Sequence, residues 1–196
     1  MNAFKDVNPE VVFIADYCGE REEEMIKQLI PFKYSFIPTA LGINDTCLLQ
    51  YEMAFKQTEH QEILFLECDY IWNDIPYIGE KFVEGIRQLG LVSPYDHLNF
   101  YIDQKLHSSV CEIKLVGSQH WRSTERNTMT FGVRSGVFKE NYEIFKKYGY
   151  LDADVWYELL DQSWPLYVPI PSMATHMVKD WLAPSVQWEE LWTTLI

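Results

Sequence analysis

The amino-terminal part of the chain alternates short apolar runs with helix-favouring stretches. The apolar runs cover residues 11–15, 34–38 and 62–66, and helix-favouring stretches cover 20–30 and 46–57. Continuous apolar runs of this length are typical of strands that are buried on both faces. The order strand, helix, strand, helix, strand predicts an α/β fold with a mostly parallel sheet and helices on both faces.

The carboxy-terminal part mixes strands and helices with an irregular polar and aromatic segment over 94–109. Its predicted strands cover 111–116, 127–134 and 166–168, and its predicted helices cover 136–148 and 152–162. This mixture is typical of an α+β arrangement. Because no Pro-, Gly- or Ser-rich linker interrupts the sequence, we expect a single domain with two halves, about 1–93 and about 94–196.

Charge and cysteine usage narrow the classes of protein. The 16 basic and 29 acidic residues give a formal charge of −13, which repels polyanions over the surface as a whole. A phosphate ligand bridged by a divalent cation stays compatible with that charge. No apolar run approaches the ~20 residues of a membrane span, and the first residues show no secretory signal pattern. Four cysteines without a CxxC spacing predict reduced thiols and a cytoplasmic location.

Two acids, Glu67 and Asp69, follow the apolar run that ends at Leu66. Residues two apart at a strand end point to the same side, and ligands of α/β sheets bind beyond the carboxyl ends of the strands. Such carboxylates can hold Mg²⁺ or Mn²⁺, which prefer oxygen ligands and bridge to substrate phosphates. The alternative is that both acids cap the following turn or pair with lysine or arginine.

The string LECDYIW around these acids resembles the EDDY-[LI]-[HW] signature of a bacterial and bacteriophage glycosyltransferase family with the GT-A fold. Three further segments, SPYDHLNFY, HWRSTERNTMTFGVRSGVF and IPSMATHMVKDWLAPSVQW, resemble later motifs of that family in the same order. The resemblance extends from about Val11 to Trp188 and implies one GT-A-like domain. The chain departs from the family at Cys68, where the family has an acid, and a thiol is a poor ligand for Mg²⁺ or Mn²⁺.

The resemblance implies that the amino-terminal half binds a nucleotide-diphosphate sugar and the carboxy-terminal half binds the acceptor. The expected donor-binding residues are Asp16, Gly42, Asn44, Asp45, Glu67, Arg122 and Arg126. The expected metal ligands, for Mn²⁺ or Mg²⁺, are Asp69, Glu67 and His176. Arginine forks suit phosphate oxygens, but the two arginines could instead be surface side chains paired with acids such as Glu125. His176 could instead be a hydrogen-bonded residue of a Pro-rich turn.

An inverting transfer also needs a general base that removes the proton of the acceptor hydroxyl. In related GT-A enzymes an acid at the start of a late helix has this role. Asp154 and Asp152 occupy that position here, with Asp154 preferred, although both also suit a helix start on electrostatic grounds alone. Asp96, His97 and Trp121 are expected on the acceptor side. The alternatives are a hydrogen bond that holds the loop, for Asp96 and His97, and a core position for Trp121.

The resulting hypothesis is a metal-dependent glycosyltransferase, with a UDP-sugar as the favoured donor. The implied acceptors are a polysaccharide, a lipid-linked glycan or a hydroxymethylated base in phage DNA, in the cytoplasm of a bacterial cell or a phage-infected host. The alternative is a non-catalytic GT-A-like binding or assembly protein, which the departure at Cys68 favours. The sequence has no GxxxxGK[ST], GxSxG or HExxH motif, which argues against P-loop, serine-hydrolase and zincin chemistry.

Overall fold

The computed structural model describes residues 2–103 and 111–195. Short 3₁₀ turns lie at Asn2–Phe4 and Lys179–Trp181. The strands within these residues are β1 (Val11–Asp16), β2 (Tyr34–Thr39), β3 (Glu62–Phe65), β4 (Tyr70–Trp72), β5 (Leu91–Val92), β6 (Ile113–Val116), β7 (Gln119–Thr124), β8 (Phe131–Arg134), β9 (Leu166–Ile170) and β10 (Ala174–His176). The helices are α1 (Glu20–Leu29), α2 (Ile43–Phe55), α3 (Ile78–Leu89), α4 (Asn99–Ile102), α5 (Ser135–Glu140), α6 (Tyr142–Tyr148), α7 (Asp152–Asp161) and α8 (Trp188–Leu195).

The largest sheet has six strands in the order β3-β8-β5-β9-β7-β6. The α/β class is confirmed, but the prediction of a mostly parallel sheet was wrong. Only the β5–β9 pair is parallel among the strand pairs that the structure describes in this sheet, and the other four are antiparallel. The physical reason is that β8, a late strand, inserts between β3 and β5 and runs opposite to both. An apolar run shows that a strand is buried but does not show its direction or its neighbours.

Helices cover both faces of this sheet, as predicted. On one face, α2, α6 and α7 contribute large aromatic side chains, among them Tyr51, Phe145 and Trp156, to a core built on Phe65 and Phe131. On the other face, α3 packs Phe82 and Ile86 against the sheet. Neighbouring strand residues alternate between the two cores, as the pleat of a strand requires.

The first two strands do not join the large sheet in the described residues. β1 and β2 pair in parallel with each other, from Val11 opposite Tyr34 to Asp16 opposite Thr39. β4 and β10 form a second two-stranded sheet, antiparallel, with His176 opposite Tyr70. This small sheet positions the site described below because it joins two distant parts of the chain. No helix in the described residues is long and apolar enough to cross a membrane.

Candidate functional site

A carboxylate and an imidazole meet where the small β4–β10 sheet begins. His176 Nε2 lies 3.0 Å from Asp69 Oδ2, and the backbone amide of Met177 donates to the carbonyl oxygen of Asp69 at 2.8 Å. The Asp69 side chain is half-exposed and His176 is mostly buried. His176 Nδ1 is buried without a hydrogen-bond partner among the described atoms. The imidazole therefore contacts Asp69 through Nε2, while its Nδ1 has no partner among the described atoms.

Glu67 belongs to the same electrostatic environment. Its Oε2 accepts a hydrogen bond from Thr130 Oγ1 at 3.0 Å, and its backbone amide donates to that same hydroxyl oxygen at 3.1 Å. Desolvation raises the pKa of Glu67, the nearby carboxylates of Asp69 and Asp152 act in the same direction, and His176 and the Thr130 hydroxyl oppose them. Neither Glu67 nor Asp69 forms an ion pair with lysine or arginine in the described part of the chain. The sheet pairing thus brings the three predicted metal ligands close together.

A cation at this place would take only part of its coordination from protein side chains. Within residues 2–103 and 111–195, no group of three or more His, Cys, Asp or Glu side chains could hold a metal ion by itself. Asp69 and His176 supply two donors in contact, and Mg²⁺-type ions commonly keep waters and substrate phosphates as further ligands. Cys68, between the two acids, is exposed.

Aromatic rings and a second histidine surround the Asp69–His176 pair. The ring of Trp181 lies 5.4 Å from that of His176 and 6.2 Å from that of His97, centroid to centroid. His97 also lies 5.1 Å from Tyr95, and its Nδ1 accepts a hydrogen bond from the amide of Asn99 at 3.0 Å. The loop-holding alternative for His97 therefore describes one of its contacts.

His97 is held in its neutral form. Burial lowers the pKa of His97 to about 4, with further contributions from Arg126 and His176. Arg126 is half-exposed and lies 4.0 Å from Asp103. Arg126 and His176 are both close enough to lower the pKa of His97. The three residues therefore lie in one region, although they were predicted for the donor side, the metal and the acceptor side respectively.

Arg122 and Asp96 form a buried ion pair. Arg122 Nη2 lies 2.5 Å from Asp96 Oδ1, and both side chains are largely or fully buried. Tyr101 donates its hydroxyl to Asp96 Oδ2 at 2.5 Å, and the Arg122 guanidinium lies over the Phe100 ring. Arg122 therefore pairs with Asp96, not with Glu125. Asp96 ties helix α4 to the sheet, as its loop-holding alternative describes.

Trp121 occupies the core. Its side chain is fully buried and packs beside Phe82 in the core under helix α3. Gly85 leaves the space for this indole, since a Cβ atom at Gly85 would clash with the Trp121 ring. A fully buried ring has no surface to offer an acceptor, so the core alternative is the correct description of Trp121.

The predicted nucleotide-side residues lie at the amino-terminal end of α2. Asp16 Oδ1 accepts hydrogen bonds from the amides of Leu41 and Gly42 and from the Thr39 hydroxyl, at 2.9, 3.3 and 3.0 Å. Desolvation acts to raise the pKa of Asp16, but these hydrogen bonds outweigh it and lower the pKa. Gly42 has a φ of 81°, which favours glycine. Asp16 thereby holds the loop that leads into α2.

Helix α2 begins directly after this loop, and one of its residues lies within the electrostatic range of Glu67. Asn44 and Asp45 are exposed in its first turn, and the Asn44 amide donates to Asp45 Oδ1 at 3.2 Å. Cys47 follows, and its pKa is raised by desolvation and, to a smaller extent, by the charge of Glu67. Helix α2 therefore follows the Asp16 loop directly and carries Cys47 within the electrostatic range of Glu67.

Of the two predicted bases, Asp152 is the one that interacts with the acidic residues. Both acids lie in the first turn of α7 and both are exposed. Asp152 Oδ1 accepts the amide of Ala153 at 2.6 Å, and its charge raises the pKa of Glu67. Since successive helical residues are rotated by about 100°, Asp154 points well away from Asp152. Asp152 is therefore the one of the two acids whose charge acts on the Glu67 carboxylate.

Two residues of the candidate site, Trp181 and Thr130, were not predicted from the sequence. The sequence assigned no binding role to Trp181 and no role to Thr130. Trp181 lies in the segment DWLAP and Thr130 in the segment TMTF, both within the strings that resemble the glycosyltransferase family. That resemblance was the signal that could have directed attention to them.

Comparison with known proteins leaves the function open. No family model and no curated protein matches the chain. Among solved structures, the chain is similar to the one titled "Crystal Structure of A197 from STIV", with 12% sequence identity and a TM-score of 0.44, over 89% of this chain and 88% of that one. A likeness this distant assigns neither a fold family nor an activity.

Proposed function

We propose that the protein is a metal-assisted glycosyltransferase with a GT-A-like fold that uses a nucleotide-diphosphate sugar, with a UDP-sugar as the first donor to test. The observation that carries the proposal is the contact between Asp69 and His176, with Glu67 and Asp152 in the same electrostatic environment. The resemblance of LECDYIW and three later segments to the glycosyltransferase family supports the same reading. The acceptor is a glycan hydroxyl or, less in keeping with the charge of −13, a hydroxymethylated base in DNA.

In this proposal Asp69 and His176 hold Mn²⁺ or Mg²⁺, with Glu67 nearby. When bound, the ion supplies positive charge that offsets the negative charge of the departing diphosphate. Asp152 accepts the proton of the attacking hydroxyl at the carboxylate oxygen that the Ala153 amide does not engage. Arg126 contributes charge toward the phosphates, while His97 stays neutral and adds no charge of its own.

The nucleotide side of the proposed site is the loop that Asp16 fixes. Its hydrogen bonds with Leu41 and Gly42 hold the start of α2 in one conformation, so that a ligand meets a preformed surface. Preformed binding surfaces lose less conformational entropy when a ligand binds. Asn44 and Asp45 lie exposed beside this loop and are available to hydrogen-bond a base or a ribose.

A non-catalytic binding protein is the second candidate. The specific observation in its favour is that no group of three or more His, Cys, Asp or Glu side chains in the described residues could hold a metal ion, and that a cysteine stands between the acids. A protein of this kind would bind a nucleotide sugar, or another ligand of the same surface, without transferring the sugar.

The test is thermal unfolding with UDP, GDP, CDP and TDP, each with and without Mn²⁺. A ligand at 100 times its Kd stabilises the folded state by about 2.7 kcal/mol, and a chain of this size then gains roughly 5–10 °C in Tm. We expect a rise with one nucleotide that depends on Mn²⁺, and its loss in Asp69→Asn and in His176→Gln. Asp74→Asn, at an exposed acid five residues further along the chain than Asp69, is the matched control and keeps the rise.

The outcomes separate the two candidates. A Mn²⁺-dependent rise followed by donor hydrolysis or transfer supports the enzyme. A rise without any turnover supports the binding protein. If no nucleotide raises the Tm, or if Asp69→Asn retains the full Mn²⁺ effect, the metal-assisted proposal is refuted.

A further inference from the structure

Trp181 is an exposed tryptophan beside the Asp69–His176 pair. Of the seven tryptophans in the chain, Trp121, Trp156 and Trp188 are buried, whereas Trp181 is 47% exposed. Its indole lies 5.4 Å from the His176 ring at an interplanar angle of 56° and 6.2 Å from the His97 ring at 41°. A large apolar ring is thus half open to solvent at the candidate site.

The backbone of Trp181 is fixed from both sides. Its amide donates to the carbonyl oxygen of Val178 at 2.8 Å in the Lys179–Trp181 turn. Its carbonyl oxygen accepts a hydrogen bond from the hydroxyl of Tyr95, a fully buried residue. Because two side-chain dihedral angles are all that remains free, the ring can present a surface at low conformational cost. The two hydrogen bonds therefore hold the backbone that carries this exposed ring beside His176 and His97.

The groups around the ring define the kind of ligand. Asp69 contacts His176, whose ring lies next to the indole, and the Asp69 side chain is 50% exposed. The charge of Arg126 lowers the pKa of His97, and the Arg126 side chain is 36% exposed. An apolar aromatic surface next to a few convergent polar groups is the usual composition of a small-ligand site. A sugar ring matches this composition, because its C–H face is apolar and its hydroxyls donate to carboxylates and accept from guanidinium groups.

We propose that Trp181 is the platform of a sugar-binding subsite, on which one pyranose ring of the acceptor stacks next to the ion and the phosphates that Asp69 and Arg126 bind in the proposed function. The proposal rests on the proposed function and specifies its acceptor class as a glycan. The nucleoside of the donor belongs to the Asp16 loop, and Trp181 belongs to the acceptor sugar. Trp181 is a binding residue in this proposal and takes no part in proton transfer.

The experiment is fluorine NMR of the full chain labelled with 5-fluorotryptophan, titrated with glucose, galactose, mannose and N-acetylglucosamine, without nucleotide or metal. The signal of Trp181 is assigned as the one missing in Trp181→Phe. We expect that signal to shift saturably with at least one sugar, up to about 100 mM, since single sugar rings bind with a Kd of the order of 1 mM or weaker. The other tryptophan signals stay in place.

Two variants give the magnitude and the control. Trp181→Ala weakens the affinity for that sugar about tenfold, equivalent to about 1.4 kcal/mol, as measured by ligand-observed NMR, while its thermal midpoint stays within a few degrees of the parent. Trp192→Ala, at a tryptophan in helix α8 that is 44% exposed, keeps the parent affinity. A drop in Tm for Trp181→Ala with unchanged sugar affinity would show that the ring only clamps the chain end.

The remaining outcomes either refute the sugar-binding subsite or show whether it stands when the transferase proposal fails. Absence of a saturable shift of the Trp181 signal with every sugar overturns it. A shift with 5-hydroxymethyldeoxycytidine and none with the sugars also overturns it, in favour of a modified-base acceptor. Sugar binding at Trp181 combined with no nucleotide effect in the thermal test leaves the subsite standing and refutes the transferase.

Discussion

Removal of the Arg122 guanidinium is predicted to destabilise the protein far more than removal of a comparable surface arginine. Arg122 Nη2 lies 2.5 Å from Asp96 Oδ1, and the exposed fractions of the two side chains are 14% and 2%. The same guanidinium lies 4.5 Å from the centroid of the Phe100 ring and 5.3 Å from that of Tyr101. Arg122→Met keeps most of the side-chain volume and leaves Asp96 buried without its cation.

The magnitude follows from the burial of the remaining carboxylate. Breaking a buried ion pair by removal of one partner costs about 3–5 kcal/mol. For a chain of this size, that corresponds to a fall in Tm of roughly 6–20 °C. Burial already raises the pKa of Asp96, and the Tyr101 hydroxyl and Arg122 are the groups that oppose this. Without Arg122 the pKa rises further, so that the carboxyl can escape the penalty by taking a proton.

The assay is urea unfolding of the parent and of Arg122→Met at several pH values. The matched control is Arg87→Met, because Arg87 Nε also lies 2.5 Å from a carboxylate, Glu62, but its side chain is 61% exposed. An exposed pair of this kind contributes at most about 1 kcal/mol. A group whose pKa is raised by folding favours the folded state at low pH and loses that contribution as the pH rises. The deficit of Arg122→Met is therefore smaller at pH 5 than at pH 8.

Equal losses for Arg122→Met and Arg87→Met would refute the reasoning, because the Arg122 pair is buried and its guanidinium packs on two aromatic rings, whereas Arg87 is exposed. A deficit of Arg122→Met that grows as the pH falls would also contradict it. Asp96→Asn provides an independent check, since it removes the charge but retains a hydrogen-bonding side chain for Tyr101. Its loss should be close to that of Arg122→Met, and the double variant should lose less than the sum of the two.

Three further predictions concern single positions. Gly85→Ala should lower the free energy of unfolding by about 1–3 kcal/mol, because its methyl group meets the buried Trp121 ring, whereas Gly136→Ala, whose nearest atom is 3.5 Å away, should be neutral or stabilising in the same urea assay. The stability that neutral His97 provides is present above its ordinary pKa of 6.5 and is lost as the pH falls toward about 4. His97→Gln should therefore reduce the fall in the free energy of unfolding between pH 6.5 and pH 4 by about 1–2 kcal/mol, after allowance for partial exposure. A variant whose free energy of unfolding falls as steeply with pH as that of the parent would contradict this assignment. Cys68→Asp should tighten Mn²⁺ binding severalfold in isothermal titration, because a carboxylate replaces a thiol beside Asp69, and an unchanged Kd would mean that position 68 does not face the ion.

The sequence predicted local structure well where a pattern is repeated over several residues. The apolar runs at 11–15, 34–38 and 62–66 became β1, β2 and β3, and the helix expected from 152 begins at Asp152. The pattern of apolar residues predicted strand boundaries less well where side chains bond to distant parts of the chain. Residues 127–134 were expected to form one strand, but only Phe131–Arg134 does, because Asn127 and Thr128 turn their side chains to Tyr95 and Tyr70.

The sequence by itself determined the α/β class, the acidic character and the position of Glu67 and Asp69 just after a buried strand, because these follow from composition and from short-range periodicity. Only the tertiary structure decided that β4 pairs with β10 and so brings His176 to Asp69. It also decided that Arg122 pairs with Asp96 and that Trp121 is buried while Trp181 is exposed. Each of these contacts joins residues that are far apart in the sequence. The residues next to them in the chain do not specify which strands and loops pair in the folded protein.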